Sequence, residues 1–282
     1  MTHLIWQTSR FKLDLAQPKV MGILNLTPDS FSDGGRHSEL SIALKQAQTL
    51  LADGADILDI GGESSRPGAK PVSVQEELKR LLPFLQEAVT WNIPISVDTY
   101  KPEVMLAALD LGADIVNDIW ALRQPGAIDV VAQHPQCGVC LMHMHKEPQT
   151  MLEQPMTGHA LETVKAFLGQ RVSELKAMGV ESNRIVLDPG IGFGKTLSQN
   201  VSLLQHQKEL MSLGQPLLAG WSRKGSLGKL TALQGQSPLA SDRLGASLAA
   251  ALISVQNGAS VVRVHDVKET VQALRVWQAV KN

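Results

Sequence analysis

The stretch IPISVDTYKPEVMLAALDLGADIVNDI (residues 93–119) contains one complete unit of a repeating pattern. It opens on an apolar, β-branched run, 93–97, of the kind found in strands buried on both faces. The run ends at Asp98. Pro102 then begins a helical pattern over 102–111, and proline suits a first helical position because its missing N–H would have no partner there. A second apolar run, 114–116, ends at Asn117 and Asp118. Strand, helix and strand in this order form the βαβ unit of a parallel sheet.

The pattern extends in both directions. Apolar runs at 20–24, 57–60, 138–142, 185–187, 216–219 and 260–264 bring the total to eight, and helical patterns cover 40–52, 74–89, 160–178, 241–256 and 267–280. Open doubly wound sheets and closed barrels share this alternation. Eight strands in 282 residues favour the closed form, so the expected fold is α/β, a single (β/α)8 TIM barrel spanning 1–282 as one domain. Residues 4–6 and 11–13 flank a Thr8-Ser9-Arg10 turn, which predicts a short N-terminal β-hairpin within 1–15, placed to plug the bottom of the barrel.

Composition excludes several classes. With 44% hydrophobic and 19% charged residues the chain is not disordered. Its 26 basic and 27 acidic residues leave a formal charge of −1, so no global basic field favours nucleic acid. Two cysteines do not make a secreted disulfide scaffold. Residues 1–13 lack the charged segment and apolar run of a signal peptide, and the most apolar stretch, 248–255, falls far short of the ~20 residues of a membrane span. The expectation is a cytoplasmic protein with no membrane partner.

The polar residues that end the strands are the functional signal. In chain order they are Asn25, the 61–66 segment GGESSR, Asp98, Asn117-Asp118, His143, Asp188, Ser222-Arg223-Lys224, and Arg263 with His265. Any one of them could be a helix cap. A closed barrel brings all eight ends to one rim, where the active sites of this architecture lie. Asp98, Asn117 and Asp188 suit a flat heterocycle carrying N–H donors and a carbonyl. Arg66, Arg223, Lys224, Arg263 and His265 suit an anion. Asn25 and Asp98 are possible oxygen ligands for Mg²⁺. The chemistry is that of a transferase or lyase acting on a phosphorylated heterocycle. Two segments, 27–35 and 61–70, exceed the usual βα loop of ~2–6 residues and read as lids over the site.

At these residues the chain resembles the dihydropteroate synthase family. The matching motifs are MGILNLTPDSFSDGG (21–35), DIGGESSRPGA (59–69), ISVDTYKPEV (95–104), NDI (117–119), LMHM (141–144), LDPGIGFGKTLSQN (187–200), WSRKG (221–225) and RVHDVKETV (263–271). The resemblance implies condensation of 6-hydroxymethyl-7,8-dihydropterin diphosphate with 4-aminobenzoate, giving 7,8-dihydropteroate and pyrophosphate, with Mg²⁺ as cofactor. It implies that Asp98, Asn117, Asp188 and Lys224 hold the pterin, with Ile119, Met142 and Phe193 as walls. Asn25 would bind the metal beside the diphosphate, which Ser65, Arg263 and His265 would contact. Phe31, Arg66, Pro67, Phe193, Lys224 and Gly225 would border the aminobenzoate. Asp98, Lys224 and Arg263 would carry the catalysis. The family is a target of sulfonamides, which mimic aminobenzoate, and the resemblance implies a homodimer built by the late helices, 241–256 above all.

Two positions depart from the family pattern. Ser65 stands where the family usually has Thr and keeps the hydroxyl. Gly225 stands where Ser commonly follows Ser-Arg-Lys, which removes a hydroxyl near the aminobenzoate carboxylate and leaves a backbone N–H.

Other motifs carry less. Cys137 and Cys140 have CxxC spacing, but the pair enters an apolar strand on which residues three apart face opposite sides, so both are expected as buried thiols. His143 and His145 share one face of an extended segment and lack a convincing third metal ligand. Gly194-Lys195-Thr196 imitates the end of a P-loop, yet the required first glycine falls on Pro189, so Lys195 is expected to support the glycine-rich loop. A pterin-barrel methyltransferase would not need the SRKG and RVH groups. A binding-only relative would not need Asp98, Asn25, Lys224 and Arg263 together.

Overall fold

The computed structural model describes residues 4–27, 36–66, 68–147, 150–151 and 153–281. A hairpin of β1 (Ile5–Gln7) and β2 (Lys12–Asp14) precedes eight parallel strands: β3 (Lys19–Asn25), β4 (Ile57–Gly61), β5 (Ile95–Asp98), β6 (Ile115–Asp118), β7 (Gly138–Met142), β8 (Ile185–Asp188), β9 (Leu217–Ala219) and β10 (Ala259–Val264). They pair in sequence order, and β10 closes on β3 to make the barrel. The helices between them are α1 (Arg36–Ala52), α2 (Val74–Ala88), α3 (Pro102–Asp110), α4 (Ala127–Gln133), α5 (Ala160–Ala177), α6 (Leu197–Gln205), α7 (Gly225–Leu230), α8 (Leu244–Gln256) and α9 (Val267–Lys281).

The sequence pattern did not reveal α4 or α6. Both are short, at 7 and 9 residues. The α8 helix starts at Leu244 rather than 241, because Ala240–Asp242 forms a separate 3-10 turn.

The barrel interior is layered. Met21, Ile57, Ile115, Cys140, Val186, Leu218 and Val261 form one apolar cluster with Trp6. Fully buried Trp6 donates its indole N–H to the Arg184 carbonyl at 3.0 Å. Arg10, on the hairpin turn, pairs with buried Asp114 at 2.6 Å at the entry to β6. The hairpin therefore seals the barrel's lower end. Cys140 belongs to this interior layer, whereas Cys137 packs outside among the helices and lies 3.2 Å from an Arg184 amino group. Both thiols are free and buried. Two apolar clusters fill the gap between strands and helices, one on each side of the barrel. Among the described residues no helix is long and apolar enough to cross a membrane.

Candidate active site

Side chains two residues apart on a strand share a face. Two residues beyond the interior apolar layer stand Asp59 after Ile57, Asn117 after Ile115, Met142 after Cys140, Asp188 after Val186 and Arg263 after Val261. On four of these five strands the barrel thus changes from apolar to polar in one step towards its C-terminal mouth, and on β7 it stays apolar at Met142.

Asp59 is the centre of this layer. It is fully buried, and its carboxylate accepts from Ser96 Oγ at 2.6 Å, Asn117 Nδ2 at 3.1 Å and Arg263 Nε at 2.6 Å. Arg263 then reaches Asp98 through Nη2, also at 2.6 Å. Strands β4, β5, β6 and β10 are joined by this one network. Asp59 opens the 59–69 motif, and the strand-end pattern does not single it out. A signal for it was available, since an acid in the middle of the otherwise apolar β4 must face inward and needs donors.

Burial pushes the Asp98 carboxyl up to about 7, with Arg263 opposing the shift. Asp188 is raised for the same reason and is held partly in check by the Gly190 N–H, which donates to its Oδ1 at 2.7 Å. Only glycine can occupy position 190: its φ is +68°, and a Cβ there would lie 1.9 Å from the His143 carbonyl. Lys195 ties the same loop down by donating Nζ–H to the carbonyls of His143, Gly190 and Phe193, at 3.2, 2.7 and 3.1 Å. It supports the glycine-rich loop and is not a phosphate ligand of a P-loop. The loop presents Phe193, over whose ring the Lys224 ammonium sits at 4.0 Å. Burial lowers Lys224 to about 8, against the pull of Asp188. Ile119, Met142 and Phe193 fall in one apolar cluster beside these groups.

Asn25 and Asp98 flank Gly61, which pairs with each of them across the sheet. A Cβ at Gly61 would lie 3.8 Å from Asn25 Oδ1 and 3.6 Å from the Asp98 Cβ. The Asn25 oxygen therefore faces the position a side chain at 61 would fill, and an amide oxygen is a donor that suits a hard cation. Among the described residues no cluster of three or more His, Cys, Asp or Glu could cage a metal. An ion at this place would draw its remaining ligands from substrate and water, which is the habit of Mg²⁺.

Several rim residues are committed elsewhere. Arg223 is paired with Asp266 through two donors, one at 3.1 Å, so it does not serve as the free anion ligand its position suggested. Its φ of 58° is left-handed, and its backbone is clamped by Ser247 Oγ, which accepts its N–H at 3.0 Å, and by Arg243, which donates to its carbonyl at 2.9 Å. Asp118 is a cap, accepting the N–H groups of Trp120 and Leu122 at 2.7 Å each. His143 is buried against Phe167, and burial drives it down to about 2.

His265 lies beside Arg263 and shares a proton with Ser222 Oγ at 3.0 Å, while its own backbone N–H donates to the same oxygen. Burial lowers it to about 3, so the ring is neutral. Ser65 is half-buried and Arg66 exposed at the start of the loop after β4. Gly225 is exposed at the first position of α7, where an added Cβ would meet nothing within 4 Å. Phe31, Pro67 and most of the 27–35 segment lie outside the described residues.

Residues 21–265 match the family model for pterin binding enzymes. The chain is 49% identical to a dihydropteroate synthase of Neisseria meningitidis serogroup B, over 99% of this chain and 98% of that one. Its fold matches a Xanthomonas albilineans dihydropteroate synthase solved with 4-aminobenzoic acid, with a TM-score of 0.92, 46% identity and 99% of both chains covered. It also matches a Burkholderia cenocepacia dihydropteroate synthase complexed with 7,8-dihydropteroate, with a TM-score of 0.88 and 46% identity over 98% of this chain and 96% of that one.

Proposed function

The chain belongs to the pterin-binding enzymes and, within them, to the dihydropteroate synthases, and from that premise we propose how its barrel mouth makes 7,8-dihydropteroate from the dihydropterin diphosphate and 4-aminobenzoate. The observation that carries the reading is the junction of Asp59, Asp98, Asn117 and Arg263 in one buried network at the mouth.

The pterin ring lies across this network. Asn117 spends its N–H on Asp59, so its carbonyl oxygen is free to accept from the ring. Asp188 accepts ring N–H groups, and Lys224, held over Phe193, donates to a ring carbonyl. Ile119, Met142 and Phe193 cover the faces.

Arg263 uses Nε and Nη2 on Asp59 and Asp98, and among the described residues nothing takes its Nη1. That amino group, His265 and the Ser65 hydroxyl meet the diphosphate. Asn25 would hold Mg²⁺ beside Gly61, and the chemistry such an ion would supply is neutralisation of charge on the leaving diphosphate.

The bond from the pterin methylene to the diphosphate oxygen breaks, and its electron pair leaves with pyrophosphate. The resulting cation is delocalised into the dihydropterin ring, and ionised Asp98 stabilises it. The neutral aryl amine of 4-aminobenzoate attacks the methylene carbon and then loses its proton to solvent or to the departing diphosphate. No strong base is required. Arg66 and the N–H of Gly225 face the aminobenzoate carboxylate.

Both cysteines are free and buried, which suits a reducing cytoplasm. Exposed Ile253 on α8 and Val276 and Val280 on α9 support a homodimer through the late helices, and a monomer by sedimentation would refute it. The chemical test is pyrophosphate release from the dihydropterin diphosphate with Mg²⁺. Release that depends on 4-aminobenzoate and matches dihydropteroate formed is expected. Pterin binding without release would leave a binding protein only.

A further inference from the structure

Glu63 stands two residues past the end of β4, at the base of the loop that carries Ser65 and Arg66. The mechanism makes no use of it. Its carboxylate accepts the Tyr100 hydroxyl at 2.9 Å, the Lys101 ammonium, and the backbone N–H of Val72 at 3.3 Å. Tyr100 and Lys101 belong to the segment between β5 and α3, immediately after Asp98. Val72 is the far end of Glu63's own loop. One carboxylate therefore ties the two ends of this loop together and fastens them to the chain segment that leaves the active site.

The surroundings reinforce the fastening. Lys101 also holds Glu77 of α2 at 2.5 Å, and Arg80 of α2 donates to the Gly62 carbonyl at 2.8 Å. Glu63 and Lys101 each have a side chain only 11% exposed, so the pair is little weakened by water and salt. A small cavity lined by Glu63, Ser65, Tyr100, Asp98 and Ile119 joins this cluster to the pterin site. What the ion pair anchors is the segment that presents Ser65 and Arg66, alongside the helix packing of α2.

We propose that Glu63 is a positioning residue for the aminobenzoate half of the site, a strut that holds residues 64–66 against the segment after Asp98. The proposal rests on the assignment of Ser65 and Arg66 to the substrates. Without the strut, the loop must be ordered at every binding event, and that cost enters the affinity for the second substrate.

The test uses the full chain with Glu63→Gln, and Tyr100→Phe as the milder variant should the first fold poorly. In Glu63→Gln, amide hydrogen exchange over 64–74 is expected to rise about tenfold, and the KM for 4-aminobenzoate to rise about tenfold, as fits loss of one hydrogen-bonded ion pair. Binding of the dihydropterin without its diphosphate should stay within about twofold, because its contacts come from the barrel strands. Tyr100→Phe should shift exchange and KM the same way by less. Exchange at the wild-type rate in both variants overturns the strut. Faster exchange with an unchanged KM, or a fall in kcat with no change in KM, overturns its role in substrate positioning. Arg66→Ala separates the two readings: an unchanged KM for 4-aminobenzoate there refutes the assignment of Arg66, while the exchange result still decides on Glu63.

Discussion

Asn117 donates its side-chain N–H to Asp59 across 3.1 Å, and both groups are buried. The contact fixes which end of the carboxamide faces the mouth, because Asp59, when ionised, can only accept. Asp59 also accepts from Ser96 and Arg263. Asparagine at position 59 would match the shape but would turn an N–H towards at least one of these donors. Asp59→Asn is expected to cost about 3 kcal/mol of stability, the scale for breaking a buried pair, and to remove most pterin affinity. Urea denaturation and calorimetric titration with a pterin measure the two effects. A stable variant with wild-type affinity would show that the network is not what orients Asn117.

Asp98 and Lys224 set opposite limbs of the pH profile. Asp98 acts as carboxylate, so kcat/KM should rise as pH passes about 7. Lys224 acts as ammonium, so the rate should fall as pH passes about 8. The result is a narrow bell. Asp98→Asn should cut turnover by orders of magnitude and disturb folding far less, because the amide oxygen can still accept from Arg263 and the buried charge that raises Asp98 is gone. Lys224→Arg should push the alkaline limb beyond the accessible range, because a guanidinium does not deprotonate there. A profile in Lys224→Arg that still falls near pH 8 would assign that limb to another group.

Buried His143 makes the fold acid-sensitive. Its ordinary value is 6.5, and in the folded chain burial holds it near 2, so the ring stays neutral while the unfolded chain takes up a proton below 6.5. The unfolded state then binds more protons, and stability rises with pH across that window and falls as pH drops through it. At ~1.4 kcal/mol per pH unit, acidification to about pH 5 removes on the order of 2 kcal/mol through this residue. Denaturant midpoints of wild type and His143→Gln between about pH 5 and 7 check it. The variant should show the shallower slope. Equal slopes would mean that His143 takes up its proton over the same pH range in the folded chain as in the unfolded one.

Much of this was legible in the sequence, and the reasons differ by element. The strand ends were readable because a parallel barrel strand is apolar on both faces until it reaches the mouth, so Asp98, Asn117, Asp188 and Arg263 stand out. Two things were not readable. Arg223 sits beside Lys224 in the chain, and only its left-handed backbone and its pairing with Asp266 reveal that it is committed elsewhere. Asp118 looks like a ligand until its two caps are seen. The α6 helix does carry a local signal: Thr196 and Gln199 form a capping box, a short pattern that marks a helix start even where the apolar periodicity is too brief to show.

Gly225 gives the last prediction. It opens α7 with its missing side chain directed into free space, and its φ is not left-handed, so the backbone accepts any L-residue. Serine there costs nothing sterically and is favoured over glycine in a helix by roughly 0.5 kcal/mol, so Gly225→Ser should be at least as stable as wild type. Its hydroxyl would stand where the aminobenzoate carboxylate is proposed to lie. One hydrogen bond to a charged group is worth about 1.5–3 kcal/mol, so the KM for 4-aminobenzoate should fall by about tenfold or more, with the KM for the pterin diphosphate unchanged. Steady-state kinetics with each substrate varied in turn reads both constants. A KM for 4-aminobenzoate that does not move would place the carboxylate away from the start of α7, on Arg66 alone.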